Sequence, residues 1–368
     1  MRNAAVYLDV ASSEPLHPAA RDTLLAALDH GYADPRRLHG PGRDARLLLD
    51  NAREVIATAL GVRREEVLFT SSGTRAVQLG LLGLAAARPA RGRRIAHPAV
   101  EHQAVGDAAA WWGEPLVTGV DPSGRALVEE LRTASGEAAA VALQSANHEV
   151  GTLQPVDELD VAAPVFVDAC ASMGRLPLPG GWDALAGSAH KWGGPAGIGV
   201  LLVRHRARWT NPFPAADPLA RGDDGFPDVP AALAAAAALQ AVLAERAETD
   251  ARQRALVDLI RSRVATIPDV DVVGDPVDRL PHLVTFSFLY VDGEALVTEL
   301  DRLGFGLASG SACAADTREP SRVLAAMGAL THGNVRLSLG RETTRADVER
   351  FLDVLPGVVA EIRARAGV

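Results

Sequence analysis

Short apolar runs alternate with longer stretches of helical periodicity between residues 67 and 203. A run of consecutive apolar residues predicts a buried strand, and apolar residues at helical spacing predict an amphipathic helix. Strands separated by helices are typical of a doubly wound, mainly parallel sheet. The pattern predicts strands at residues 67–69, 94–96, 139–143, 165–167 and 200–203, and helices at 19–28, 47–60 and 79–87.

The pattern changes after an alanine-rich segment that predicts one long helix, from about residue 231 to about residue 262. Beyond it, strands at 271–273, 282–288 and 333–339 combine with helices at 293–303 and at the C-terminus, which indicates a compact α+β lobe. We therefore expect a large domain over 15–245 and a small C-terminal domain over 246–368, with residues 1–14 packed on the small domain. Residues 34–43 are rich in turn formers and predict a binding loop.

Composition excludes several classes of protein. The chain has 368 residues and a formal net charge of −9, which disfavours a nucleic-acid partner because such partners need a basic face. No apolar run approaches the roughly 18 residues of a membrane span, and no basic and apolar leader opens the chain. Two cysteines, Cys170 and Cys313, cannot form a disulfide framework, so a reduced, cytoplasmic setting is expected.

Three local features carry candidate chemistry. Residues 70–74 form a small-residue turn between a strand and a helix, where free N–H groups, the helix dipole and Gly73 favour a phosphate. Asp168 ends a predicted buried strand, where open α/β sheets bind ligands. Lys191 lies in a glycine-rich turn, and desolvation of its amine would favour a Schiff base with a carbonyl. The alternatives are an ordinary turn, a helix-capping aspartate and a surface lysine.

His102 also follows a predicted strand, where it could stack on a flat cofactor or carry protons, although a lone histidine is more often structural. A phosphate turn, a strand-end carboxylate and a buried lysine are the three anchors of pyridoxal phosphate: for its phosphate, its pyridine nitrogen and its aldehyde carbon. The combination predicts an enzyme that uses this cofactor as an electron sink for a carbanion formed on an amino acid.

The ordered motifs resemble those of the cysteine desulfurases, aminotransferase class V members of the fold-type I pyridoxal-phosphate enzymes. The similarity runs over nearly the whole chain, and each motif is modest alone. The matching segments are Tyr7-Leu8-Asp9, the loop from Asp34 to Arg43, Ser71-Ser72-Gly73-Thr74, Glu101-His102-Gln103, Asn147-His148-Glu149-Val150-Gly151, Asp168, Ser188-Ala189-His190-Lys191, Ser309-Gly310-Ser311-Ala312-Cys313 and Asn334-Val335-Arg336.

The resemblance implies an α/β transferase fold with a mainly parallel, seven-stranded type of sheet and a small α+β domain. It also implies roles for single residues. Lys191 would carry the cofactor and abstract the substrate α-proton, His102 would stack on the ring and carry a proton, and Cys313 would form the persulfide. Cofactor contacts would come from Gly73, Thr74, Asn147, Asp168, Ser188 and His190, and substrate contacts from Asn147 and Arg336.

The chain departs from the family pattern at several positions. Ala171 stands where the family has a glutamine that touches the cofactor's phenolic oxygen. Arg75-Ala76-Val77 follows the phosphate turn where the family often has Glu-Ser-Asn. Phe226 stands where a threonine would reach the partner subunit's phosphate. Cys170 is interpreted as a small buried residue rather than as a second nucleophile.

The expected function is conversion of L-cysteine, or a related sulfur amino acid, to L-alanine, with the sulfur passed from Cys313 to a protein or small-molecule acceptor. A homodimer is expected, without nucleic acid, membrane or metal. The alternatives are a C–S lyase that performs β-elimination on a cysteine conjugate, a selenocysteine lyase, and a non-catalytic scaffold of the same fold.

Overall fold

A seven-stranded, mainly parallel sheet forms the centre of the large domain. The computed structural model describes residues 5–30, 32–214, 225–309 and 320–368. The strands are β1 (Val6–Tyr7), β2 (Val67–Thr70), β3 (Arg94–Pro98), β4 (Glu114–Thr118), β5 (Ala140–Gln144), β6 (Val165–Asp168), β7 (Ala184–Ser188), β8 (Gly199–Val203), β9 (Val270–Val273), β10 (Leu283–Phe288), β11 (Phe305–Gly306) and β12 (Asn334–Ser338). The helices are α1 (Pro18–His30), α2 (Gly40–Leu60), α3 (Gly73–Ala86), α4 (Gln103–Trp112), α5 (Val128–Ser135), α6 (Val229–Val264), α7 (Gly293–Arg302), α8 (Arg322–Met327) and α9 (Arg345–Arg365).

The large sheet has the strand order β2-β8-β7-β6-β5-β3-β4 among the described residues. Strand β8 is antiparallel to both of its neighbours, and the other strand pairs are parallel. The predicted α/β architecture with a mainly parallel sheet is confirmed. Because parallel strands end at the same edge, the residues that follow β2, β3, β5, β6 and β7 meet along one rim.

Helices cover both faces of this sheet. Helices α1, α2 and the first half of α6 bury one face, and α3 and α4 bury the other. Strands β12, β10 and β9 form the antiparallel sheet of the small domain, and β1 pairs in parallel with β11 beside it. The N-terminal segment therefore leaves the small domain and crosses to the rim of the large sheet.

Helix α6 joins the two lobes. Its alanine-rich first half packs in the core of the large domain, and Leu256, Val257 and Ile260 pack in the core of the small one. By length and composition alone α6 could cross a membrane, but half of its most apolar window is buried inside the protein. Helix α6 is therefore interpreted as a core helix of the protein.

Several elements differ from the sequence-based expectation. Helix α2 begins at Gly40 and takes in the end of the predicted binding loop, because the His39 side chain caps it by accepting from the Gly42 N–H. Helix α3 begins at Gly73, directly after the phosphate turn. Strands β4 and β7 were not predicted, since β4 contains Pro115 and β7 consists mainly of small residues.

Candidate active site

A cavity of about 310 Å³ lies between the rim of the large sheet and the small domain. That volume is within the range of small-molecule sites. Of the residues predicted for a site, the structure brings together eight on its wall: Gly73, Thr74, His102, Asp168, Ser188, His190, Lys191 and Arg336. These residues come from both domains and from five separate parts of the chain.

One end of the cavity is a backbone cradle at the start of α3. Ser72 caps this helix by accepting from the Arg75 N–H at 3.0 Å. A Cβ on Gly73 would lie 2.6 Å from Cβ of Ser188, so only glycine lets the helix approach the end of β7 this closely. Ser188 Oγ and His190 Nδ1 lie 3.1 Å apart on the same wall. Helix N–H groups, a hydroxyl and an imidazole together suit a phosphate.

Lys191 lies directly after β7, in a single turn of 3-10 helix over Ala189–Lys191. The N-terminal segment fixes this turn, because the Glu14 N–H donates to the His190 carbonyl at 2.8 Å and the His17 N–H donates to that of Gly193 at 2.8 Å. The lysine is partly buried and is the only lysine in the chain. The wall of the cavity therefore carries a single lysine amine.

Asp168 ends β6 and is 6% exposed, with Oδ1 accepting from the Cys170 N–H at 2.9 Å. His102 faces the same space and caps α4, its Nδ1 accepting from the Ala104 N–H at 3.1 Å. A neutral imidazole whose Nδ1 accepts carries its proton on Nε2. Burial lowers the pKa of His102, nearby Asp168 raises it, and Lys191 lowers it. The Asp168 carboxylate and the Lys191 amine are thus both close enough to the His102 imidazole to affect its pKa.

The opposite end of the cavity is formed around Arg336 on β12. Its Nη1 donates to the His148 carbonyl at 3.0 Å, and its Nη2 donates to Asp9 Oδ1 at 2.9 Å and to Ser12 Oγ at 2.6 Å. Its Nε is buried and has no hydrogen-bond partner among the described residues. An arginine held in this way presents a fixed donor to a carboxylate group.

The structure differs from expectation at Asn147. The Asn147 amide nitrogen donates to the Val100 carbonyl at 3.0 Å, and its oxygen accepts from the N–H groups of Glu149 and Val150 at 2.8 Å. Asn147 is fully buried and does not line the cavity, because its side chain is hydrogen-bonded to these backbone groups instead. The next residue, His148, lines the cavity instead, with its ring in edge contact with that of His102 at 4.9 Å.

Sequence reasoning also missed Ser12, which reaches the cavity with Ala11 from the N-terminal segment. The position of Ser12 depends on the pairing of β1 with β11, and no local motif predicts that pairing. Cys313 falls outside the residues that the structure describes. Phe226 is described and is 61% exposed.

Two residues close to Asp168, Cys170 and Ala171, lie on the cavity wall. Cys170 lines the cavity, and burial and the Asp168 charge raise the pKa of its thiol well above the usual value. A thiol of this kind stays protonated and is a poor nucleophile. Ala171 also lines the cavity and leaves the space that a longer side chain would fill.

The cavity fits pyridoxal phosphate. The cradle at Gly73 would be filled by any Cβ, the donor set around it suits a phosphate, and a carboxylate, an imidazole ring and a single amine follow along the wall. Within the described residues there is no cluster of side chains suited to hold a metal ion.

Comparison with known proteins agrees with this geometry. Residues 6–351 match the family model for aminotransferase class-V. The chain is 38% identical to an IscS-like cysteine desulfurase of Mycobacterium tuberculosis, over 98% of each protein. It is 32% identical to the cysteine desulfurase IscS of Dictyoglomus turgidum, over 97% of this chain and 95% of that one.

Solved structures show the same relationship. A NifS-like protein superposes with a TM-score of 0.87 at 25% identity, covering 97% of this chain and all of that one (100%). Both the sequence and the fold therefore match over almost the full length. The chain belongs to the aminotransferase class-V family and, within it, to the cysteine desulfurases.

Proposed function

We propose that the protein is a pyridoxal-phosphate-dependent cysteine desulfurase that converts L-cysteine to L-alanine and leaves the sulfur as a persulfide on Cys313. The observation that carries this proposal is the convergence of the phosphate cradle, Asp168, Lys191 and Arg336 on one cavity. Full-length similarity to proteins named cysteine desulfurases supports the choice of substrate.

The residues that would hold the cofactor follow from their positions. The N–H groups at Gly73 and Thr74, with Ser188 and His190, would bind the phosphate. Asp168 would keep the ring nitrogen protonated, His102 would lie against the ring, and Lys191 would form the covalent link. When bound, the cofactor supplies an electron sink for negative charge that develops at the substrate Cα.

The substrate carboxylate would bind at Arg336. Its Nη atoms are occupied by Asp9, Ser12 and the His148 carbonyl, so the guanidinium is oriented before the substrate arrives. This preorganisation reduces the entropy lost on binding and fixes Cα beside the amine of Lys191. Lys191 would then take the α-proton, and His102, which is neutral, would donate from Nε2.

The persulfide step needs a second thiol. The Cys313 thiolate would attack the substrate sulfur, so that the C–S bond breaks as the S–S bond forms. Ser309 and Ser321, which precede and follow the segment containing Cys313 in the sequence, are both buried. Ser321 Oγ donates to Glu149 Oε2 at 2.5 Å, next to His148.

The experiment is to incubate the purified holoenzyme with L-cysteine and to measure alanine, pyruvate and enzyme-bound sulfur. Wild-type protein should form alanine and a persulfide, and Cys313→Ala should lose both. The matched control is Cys170→Ala, which removes the other thiol and should retain alanine formation. Alanine at an undiminished rate in Cys313→Ala would overturn the proposed step. Pyruvate in place of alanine would indicate a C–S lyase, and absence of any product would indicate a scaffold.

We further propose that the protein acts as a cytoplasmic homodimer that passes its sulfur to a protein or small-molecule acceptor. Large apolar side chains are exposed on the large domain at Tyr32 and Leu38, which precede α2, at Leu47 within α2, and at Phe226. Apolar groups exposed in this number suit an interface. Light scattering should give twice the mass of one chain, and Leu38→Glu with Leu47→Glu should shift the protein toward monomer.

A further inference from the structure

The turn that carries Lys191 is short and is followed by glycines. It is a single turn of 3-10 helix, Ala189–Lys191, and Gly193 and Gly194 come directly after Trp192. Gly193 has a φ of +79°, a conformation that residues with a side chain rarely adopt. A segment of this length and composition has little stiffness of its own. The position of Lys191 therefore depends on contacts from other parts of the chain.

An ion pair supplies one of those contacts. Nη2 of Arg175 donates to Oε2 of Glu14, and the same nitrogen donates to the carbonyl of Lys191 at 3.5 Å. The Arg175 side chain is 11% exposed and that of Glu14 is 9% exposed. A charge-assisted hydrogen bond that is shielded from water is stronger than a neutral bond at the surface. The pair thus connects the backbone of Lys191 to a nearly buried cation.

Both partners of the ion pair are themselves held by backbone hydrogen bonds. The Arg175 N–H donates to the Ser172 carbonyl at 2.9 Å, in the turn that follows β6. The Glu14 N–H donates to the His190 carbonyl at 2.8 Å. Glu14 therefore contacts the Lys191 turn directly through its N–H, and its carboxylate contacts that turn a second time by way of Arg175.

Arg175 also lies beside the space that the Lys191 side chain borders. The two residues line a small side pocket of the main cavity, together with Ala171, His148 and His282. Removing the guanidinium would enlarge this pocket next to the lysine. The lysine side chain would then have room for a second conformation, so the guanidinium restricts both the backbone and the side chain of Lys191.

The other carboxylate near Arg175 does not make the same contact. Asp250 on α6 lines a neighbouring pocket with Arg175, and the charges of Arg175 and Arg246 lower its pKa while burial raises it. Among the described residues, the ion pair that Arg175 forms is the one with Glu14. If Glu14 lost its charge, Asp250 would attract the guanidinium, and the guanidinium would turn away from the Lys191 carbonyl.

We propose that the Glu14–Arg175 ion pair is a positioning device for Lys191, which holds the backbone of the lysine and so directs its amine into the cavity. The inference rests on the proposed function, in which Lys191 carries the cofactor and takes the α-proton. Neither Glu14 nor Arg175 lines the main cavity. Both act through Lys191 and are positioning residues.

The test measures attachment of the cofactor to Lys191, which does not depend on turnover. The full-length apoprotein is mixed with pyridoxal phosphate, samples are reduced with borohydride at timed intervals, and mass spectrometry gives the modified fraction of the Lys191 peptide. Arg175→Gln and Glu14→Gln should each slow attachment by about 10-fold or more, because a misplacement of about 1 Å can cost about 10²-fold. The double variant should be no slower than the slower single variant, because both changes remove the same contact.

Arg204→Gln is the matched control. Arg204 follows β8 at the edge of the sheet away from the cavity, and it pairs with buried Glu66 at 3.6 Å. This variant also breaks a partly buried ion pair, so it should lose stability as the other variants do, but it should attach the cofactor at the wild-type rate. Thermal unfolding shows that each variant is folded at the assay temperature.

Steady-state kinetics give a second readout. In Arg175→Gln, kcat for alanine formation should fall several-fold and the KM for L-cysteine should change little, because the contacts of Arg336 are untouched. Wild-type attachment rates in both Arg175→Gln and Glu14→Gln, or equal slowing in Arg204→Gln, would overturn the inference. Wild-type protein that attaches the cofactor and forms no alanine would instead overturn the proposed function, and the attachment rates would still decide the role of the ion pair. Wild-type protein that attaches no cofactor at Lys191 would overturn both.

Discussion

The two ends of the cavity are built in different ways. The phosphate end consists of backbone and side chains from two short segments, residues 72–74 just beyond the end of β2 and residues 188–191 at the end of β7. The carboxylate end brings Arg336 together with Asp9, which is 327 positions away in the sequence, and with the carbonyl of His148, 188 positions away. One end depends on local geometry, and the other depends on the docking of the small domain and the N-terminal segment.

This difference explains how each end should respond to change. At the phosphate end, a methyl group added at Gly73 meets the side chains of Ser188 and Cys170, so the damage is steric and local. At the carboxylate end, the loss of one partner leaves a buried charge uncompensated, so the damage is electrostatic and reaches the contact between domains.

The largest effect is expected at Lys191, where the two ends meet. Lys191→Ala should lose covalently bound cofactor, and its activity should fall by about 10²–10⁴-fold because the base for the α-proton is absent. Absorbance of bound cofactor and alanine formation measure the two losses. Lys191→Arg keeps the positive charge and should fail equally, so turnover by that variant would contradict the assigned role.

The carboxylate end is tested by Arg336→Gln. Truncating a buried charge that pairs with Asp9 should reduce kcat/KM for L-cysteine by an amount equivalent to about 2–5 kcal/mol, mainly through KM. Steady-state kinetics measure the effect. The control is Arg341→Gln, three residues beyond β12, which pairs with exposed Glu342 and should change kcat/KM little. Equal losses in both variants would argue against a specific clamp.

The phosphate end is tested by Gly73→Ala. The new Cβ would lie 2.6 Å from Cβ of Ser188, which should cost about 1–3 kcal/mol of stability and weaken cofactor binding. Thermal unfolding and cofactor titration measure the two effects. Gly106→Ala in α4 is the matched control, because its Cβ would meet no atom within 4 Å. That variant should be stabilised by about 0.5–1 kcal/mol, since alanine loses less entropy in a helix than glycine does.

The smallest effect concerns pH. Burial holds the pKa of His282 well below its ordinary value, whereas the unfolded chain has a histidine pKa near 6.5. Below pH 6.5 the unfolded chain therefore binds a proton that the folded protein does not, and the free energy of unfolding falls as the pH falls. His282→Leu should make this fall shallower by up to about 1.4 kcal/mol per pH unit. Denaturant unfolding at neutral and mildly acidic pH measures the slope, and parallel curves would contradict the assignment.

The same contrast decides what the sequence could predict. The phosphate turn and Asp168 were found because each lies at the end of a strand that its own apolar residues predict. Strand β7 escaped prediction because its residues, Ala184–Ser188, are mostly small, yet Lys191 was still located from the glycine-rich turn beside it. Local chemistry therefore identified one end of the site.

Residues of the other end need long-range information. Nothing in the local sequence shows that Ser12 lies over the cavity or that His148, rather than Asn147, faces it. Asn147 is turned away by hydrogen bonds to Val100, Glu149 and Val150, and those bonds depend on the loop conformation. His282 joins His148 only because β10 brings it to the cavity from the small domain. The family resemblance supplied Arg336, which periodicity alone would have left as a strand residue.

Covalent binding of the cofactor at Lys191 can be tested directly because of the composition of the chain. Lys191 is the only lysine, so borohydride reduction of the holoenzyme followed by digestion and mass spectrometry has one side-chain amine to report on. We expect the reduced cofactor on the peptide containing Lys191 and expect none in Lys191→Ala. An unmodified Lys191 peptide from protein that contains the cofactor would contradict it.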